Sequence, residues 1–352
     1  MQLTSRDGLF LTGVRRIGKT TFIRRDLIPQ LEKENALVIY VDLSDNRERI
    51  YASEAVLSKV RESLADLSRL SFLKAKPSAV SLQFDAKQVG TPTSVSLAQA
   101  FSEIIATYDV NVVLIIDEIQ KLLRSKAGLN QLAALKAARD AVNLRPNNPN
   151  ETYFLLVGIG SQHSLIKSMV IGSSQAFYGS DHLVFPLLSD EYLIWQAGQM
   201  KDKTKVPSAE ALRRGFAILG GRPTTFRRLL EQMQTYPGSE IDPVFVALCR
   251  NQARSDANVL LEPIRNSELI TRLLFTEIAK TGPRGCSNLF SSAFRAQLTK
   301  SAGLDRTISA SSIQGKLGTM QKNDWIYPVS YGCYAASDPQ AASIWLSEEE
   351  SD

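Results

Sequence analysis

Histidine is nearly absent: His163 and His182 are the two in 352 residues. That argues against a histidine metal centre and against a Ser-His triad. The three cysteines, Cys249, Cys286 and Cys333, are odd in number and far apart, so they form neither a disulfide framework nor a zinc spacing. Long apolar runs are missing too. VNVVLII and YFLLVGIG fall far short of the ~20 residues that span a bilayer. The opening MQLTSRDGLFLTG lacks a basic region followed by a long apolar stretch, so no signal peptide is read there. The expectation is a soluble, cytoplasmic chain with no membrane partner. Neither charge sign dominates: 41 basic against 36 acidic residues give +5, which permits nucleic-acid contact without arguing for it. There is no internal repeat and no low-complexity tract. What is present is ordinary globular material, 44% hydrophobic and 22% charged, in a chain long enough for two or three domains of roughly 100–200 residues.

The first 190 or so residues alternate short apolar runs with helical patterns. GLFLTG (8–13), ALVIYVDL (36–43), NVVLIID (111–117), YFLLVGIG (153–160) and HLVFPLL (182–188) read as strands buried on both faces. Helical stretches at 19–34, 51–71, 96–108, 121–142 and 162–170 separate them. This βαβα order predicts an α/β fold with a parallel sheet. The stretch 78–96 alternates in twos and is read as a β insertion into a core of residues 1–200. KDKTKVPS (201–208) reads as a linker into a helical segment ending near 262. Between 263 and 347, three helices precede the strand-like IYPVSYGCYAASDPQAASIWL, the order of a winged helix, and the acidic tail 348–352 is expected to be disordered.

The sharpest motif is GVRRIGKT, which fits G-x-x-x-x-G-K-[ST] in full between a strand and a helix. Gly13, Val14, Arg15, Arg16, Ile17, Gly18, Lys19, Thr20 and Thr21 would wrap phosphates with backbone N–H groups at a helix N-terminus. Lys19 would reach the β/γ phosphates and the Thr20 hydroxyl would hold Mg²⁺. The second half of such a site is NVVLIIDEIQKL, in which Asp117 and Glu118 end an apolar strand. Asp117 is the metal partner and Glu118 the residue that orients the attacking water. The plain alternative for this pair is an acidic helix start that stabilises the helix dipole.

On these residues the chain resembles the AAA+ superfamily, and more narrowly the archaeal-type and STAND-like P-loop ATPases whose loop reads GxRRxGK[ST]. The Arg15-Arg16 pair carries that narrower likeness, which spans roughly residues 8–230. It implies a parallel-sheet P-loop core, a helical lid (201–262), a C-terminal winged helix, ATP and Mg²⁺ as cofactors, and ATP hydrolysis. It further implies a polar sensor after YFLLVGIG, where Ser161 and Gln162 stand, although Ser161 also fits a plain helix cap. Arg222 in GGRP looks like the family's second sensor, with a surface charge as the alternative. Arg15 and Arg16 are left open between phosphate, a neighbouring subunit of a homo-oligomer, and acidic partners that hold the loop. One departure stands out: FYGSDH carries Ser180 where the family's turn has a finger arginine, which implies slow hydrolysis, a finger from elsewhere or a partner that supplies one. Adenine specificity comes from the resemblance alone.

Residues 265–347 hold nine Lys/Arg and five Asp/Glu, and the acidic tail cancels the excess. Ser311, Ser312, Gln314, Lys316 and Lys322 on the third helix could enter a major groove, within a candidate double-stranded DNA segment 308–334. Docking of a protein partner remains the competing reading. Two further readings stay open: a STAND-type switch that holds ATP and rarely turns over, and a DNA-binding regulator with ATP as a structural ligand.

Overall fold

The computed structural model describes residues 8–44, 52–66, 84–91, 93–144, 152–172 and 175–349. By contact the chain divides into one unit of Met1–Gly13 with Lys19–Phe185, and a second of Val14–Gly18 with Pro186–Asp352.

In the first unit, β1 (Leu9–Thr12) leads through the glycine loop to α1 (Lys19–Phe22) and, after a π-helical turn, to α2 (Ile28–Lys33). Then come β2 (Ala36–Asp42), α3 (Ala52–Ala65), α4 (Leu97–Tyr108), β3 (Asn111–Asp117), α5 (Lys126–Asn143), β4 (Phe154–Gly160), α6 (His163–Ile171) and β5 (Asp181–Val184). The strands form one parallel sheet in the order β2-β3-β4-β1-β5. β1, β3 and β4 are buried on both faces, which explains their near-continuous apolar runs. Alternate residues feed two cores: Phe10, Leu37, Ile39, Leu114 and Leu156 join one, and Leu9, Leu11, Val113, Ile115 and Val157 the other. The β/α alternation expected from the sequence is therefore present, with three differences. The strand expected over 182–188 ends at Val184 and, at the edge of the sheet, is largely exposed rather than buried on both faces. The π turn at Ile23–Leu27 interrupts the helix expected over 19–34. Of the β insertion expected over 78–96, residues 78–83 and 92 lie outside the described ones, and the remainder contains a 3₁₀ turn at Ala86–Gln88 and no strand.

The second unit is helical, with α7 (Asp190–Gly198), α8 (Ala209–Ile218), α9 (Pro223–Met233), α10 (Ile241–Arg265), α11 (Leu269–Lys280), α12 (Ser292–Ser301) and α13 (Ala310–Lys322). The antiparallel pair β6 (Ile326–Ser330) and β7 (Cys333–Ala336) follows, then α14 (Pro339–Glu349). Three helices and a hairpin fit the winged-helix order. Two cores lie in sequence: Leu193, Leu212, Phe226 and Phe245 centre the first, and Leu261, Ile278, Leu317 and Trp345 the second. The 25-residue α10 serves both, through Phe245 and Cys249 near its start and Leu261 and Ile264 near its end.

Two sequence expectations change here. The first of these cores begins before the expected linker, since Leu193, Ala197 and Met200 share it with Leu212. The strand-like stretch to Leu346 becomes helical from Pro339, and Glu348 and Glu349 of the expected disordered tail are in α14, where Arg265 Nη2 donates to Glu348 Oε2 at 2.7 Å.

Candidate functional site

Strand register builds the site at the C-terminal edge of the sheet. Thr12 pairs with Gly160 and Asp117 with Ile159, so the loop after β1, the carboxylates after β3 and Ser161 after β4 leave neighbouring strands side by side. Such an edge is where open α/β sheets take ligands. Gly13 N–H donates to Gly160 O at 3.2 Å, which pins the start of the loop. Gly18 takes φ +102, a backbone conformation open to glycine, and Arg16 takes φ 68. Lys19 is buried, and its Nζ donates to Gly13 O at 2.7 Å, folding the ammonium back over the loop.

Thr20 Oγ1 donates to Asp117 Oδ2 at 2.8 Å across 97 positions of sequence. Tyr40 OH donates to the same oxygen at 3.2 Å, and Asp117 Oδ1 accepts from the Glu118 N–H at 3.0 Å. Asp117 is 3% exposed, so these donors replace water around a buried carboxylate. Burial first, then the charges of Asp117 and Asp42, push the Tyr40 pKa well up, which keeps the phenol a donor. The Thr20 hydroxyl and Asp117 carboxylate offer hard oxygen ligands only. That fits Mg²⁺, which takes few protein ligands and completes its shell with water and phosphate.

Glu118 has φ 57, in the left-handed region, at the turn into a 3₁₀ stretch over Ile119–Arg124. Its Oε2 accepts from Gln120 Nε2 at 2.6 Å and from Ser161 Oγ at 3.3 Å. The cap residue of α6 is Gln162, and the Ser161 hydroxyl just before it donates to Glu118. Thr21 is exposed on α1 and Ile17 is buried under the loop. Ser180, at the position expected for a finger arginine, is buried beside Gly8, where an added Cβ would come within 3.3 Å of its Oγ.

Within the second unit, Val14 joins Leu187, Phe216, Gly221, Arg222 and Gln340 in lining a cavity of about 500 Å³. Arg222 is 8% exposed and is no plain surface charge. Its Nη1 donates to Asp256 of α10 at 3.1 Å and its Nη2 to Asp338 at 2.9 Å. Arg15 donates to Asp324 at 2.6 Å. Sequence reasoning missed Tyr40, Gln120, Asp256 and Asp338. The first depends on the β2–β3 register, in which Asp42 lies beside Asp117. Gln120 stood in plain view inside DEIQ, three residues beyond Asp117.

Residues 3–165 match the AAA domain family. The match takes in the loop, the DE pair and Ser161. No curated protein matches the chain. The Walker-type ATPase PABY2304 of Pyrococcus abyssi superposes with a TM-score of 0.60 at 17% identity, covering 96% of this chain and 91% of that one. The ORC2 protein of Aeropyrum pernix, solved as ADPNP-ADP complexes, superposes with a TM-score of 0.52 at 12% identity, over 98% and 89%. At these identities the likeness carries the fold alone, an α/β core around a five-stranded parallel sheet, with a C-terminal strand pair that fits a winged helix. Among the described residues no helix is long and apolar enough to cross a membrane.

Proposed function

We propose that the chain binds ATP with Mg²⁺ at the edge of the sheet, hydrolyses it slowly, and passes the nucleotide state to its C-terminal module. The observation that carries this reading is the contact of Thr20 Oγ1 with Asp117 Oδ2, with Lys19 folded over the loop beside it. Bound Mg²⁺ would be held by Thr20 and Asp117 and would neutralise phosphate charge. The chain's own work is positional. Backbone N–H groups of Gly13–Thr20 cradle the phosphates, and Lys19 exchanges Gly13 O for phosphate oxygen. Glu118 orients the water, while Ser161 and Gln162 stand beside it as polar groups of the same edge. Positioning and charge account for most of catalysis in this reaction class. Tyr40 and the Thr20 hydroxyl hold the Asp117 carboxylate in place.

Arg222 is the candidate transmitter. A lid arginine already shared between Asp256 and Asp338 changes the hold on α14 if it turns toward phosphate. The winged-helix module would then engage double-stranded DNA through 308–334, or a protein partner. On α13, Ser311, Gln314, Thr319 and Lys322 are exposed, while Lys316 is paired with Glu268. That is a sparse basic face, so protein docking is retained as the second reading. The serine at position 180, where a finger arginine is expected, favours slow turnover and keeps a nucleotide-gated switch in view.

The test is ATP turnover by the wild type and Glu118→Gln, each with and without double-stranded DNA, with mass recorded in solution. DNA-stimulated hydrolysis that Glu118→Gln abolishes supports the ATPase reading with a DNA target. Tight ATP binding with no turnover and no response to DNA supports the switch. A wild type that binds no ATP ends both.

A further inference from the structure

Gln120 is a buried polar side chain with a half-filled set of bonds. It is 2% exposed, its Nε2 donates to Glu118 Oε2 at 2.6 Å, and its Oε1 has no hydrogen-bond partner. The side chain lies flat on Gly160, the last residue of β4, where an added Cβ would come within 2.0 Å of Oε1. Reversing the amide would turn an acceptor toward an ionised carboxylate, so only the present orientation bonds Glu118. An unpartnered buried acceptor has given up its bonds to water without replacement, which is a net loss. A leucine or methionine would fill the same space without that cost. What the amide adds over such a side chain is the donor on its nitrogen.

We infer that Gln120 is a positioning residue for Glu118: with Ser161, it fixes one carboxylate oxygen so that the other is left to hold the attacking water. Glu118 needs such help. Its backbone is in the left-handed region at the mouth of a turn, and its side chain is only partly buried. A carboxylate in that setting rotates among several rotamers unless donors hold it. A charge-assisted bond from a buried amide is among the stronger ways to do so. Gly160 completes the device, because the amide reaches Glu118 only across a residue without a side chain. The inference rests on the nucleotide site proposed above and adds to it the residue that aims its water-holding group.

Gln120→Met tests it, since methionine keeps the volume over Gly160 and removes the donor. The expected result is a kcat lowered 10-fold or more, up to about 100-fold for a group displaced by an ångström. KM for ATP, the ATP dissociation constant and the melting temperature should stay at wild-type values. In a Glu118→Asp background, where the carboxylate is one methylene shorter and out of the amide's reach, Gln120→Met should have little further effect. Should the methionine variant melt early, Gln120→Asn, with the amide withdrawn by one methylene, replaces it. A wild-type kcat in the methionine variant would overturn the inference, as would the same fold-loss in both backgrounds, which would make Gln120 structural packing. A wild type that binds ATP but never hydrolyses it would overturn this inference and leave the binding reading standing. A wild type that binds no ATP would remove both.

Discussion

Asp117 is asked to satisfy several neighbours at once, and that makes single side chains around it informative. Removing the Tyr40 hydroxyl leaves the buried carboxylate one donor short. Tyr40→Phe should therefore lower stability by about 2 kcal/mol, the range for bonds to charged groups, seen as a lower urea midpoint with an unchanged slope. A second residue-scale prediction concerns Cys249, whose thiol packs in the core between α8 and α10, where an added Cβ at Gly215 would come within 2.9 Å of it. Burial pushes its pKa from 9.0 to about 12. A folded pKa above the unfolded one means the thiol favours folding fully below pH 9 and loses that contribution as pH rises toward 12. Native protein at pH 8 should therefore leave Cys249 unalkylated by iodoacetamide, and Cys249→Ala should flatten the alkaline fall in stability. At this scale the sequence was legible wherever chemistry was local. Lys19 and Thr20 stand in one motif, and Asp117 and Glu118 in another. Tyr40 was not, because what brings it to Asp117 is strand register, which leaves no mark in a single chain.

Secondary-structure elements were legible where their ends carry chemistry. Ser96 accepts from Gln99 N–H, and the Gln99 side chain accepts from Ser96 N–H in return, so S-L-A-Q at the head of α4 is a complete capping box. Ser96→Ala should cost about 1 kcal/mol and be measurable by urea unfolding, while Gln99→Ala should cost less. The same chemistry was overlooked at the other end of the chain. In SDPQAASIWL, Asp338 Oδ1 accepts from the N–H groups of Gln340 and Ala341, and Pro339 occupies the first helical position. An aspartate cap followed by proline announces a helix. The strand-like reading followed the apolar residues of a short run, where periodicity separates helix from strand poorly. The π turn inside the helix expected over 19–34 has no comparable signature, since FIRRDL satisfies a helical pattern as well as any α-helix would.

For the molecule as a whole, the sequence placed a boundary near 262 but could not say what joins the helical segments on either side of it. Within the second unit α10 does so by length, at roughly 1.5 Å per residue a rod of about 37 Å. Arg222 does so by charge. It stands immediately before α9 and bonds Asp256 on α10 and Asp338 at the cap of α14, so one guanidinium ties three helices. Both carboxylates are only about a fifth exposed, which limits how far water can take over when the arginine is removed. Arg222→Ala should then cost about 2 kcal/mol of unfolding free energy. The cost should be shared with Asp338, and a thermodynamic cycle separates that share from the loss of the helix cap. Asp338→Asn keeps an oxygen for the N–H groups of Gln340 and Ala341 and removes only the charge. If the ion pair couples α9 to α14, the double variant is less destabilised than the sum of the singles, by more than the 0.3–0.5 kcal/mol by which independent sites deviate from additivity. Hydrogen exchange should accelerate in α14 in the Arg222→Ala protein while α8 stays protected. Full additivity, with unchanged exchange in α14, would mean that α10 alone carries the connection, and a nucleotide signal travelling through Arg222 would have no element to act upon.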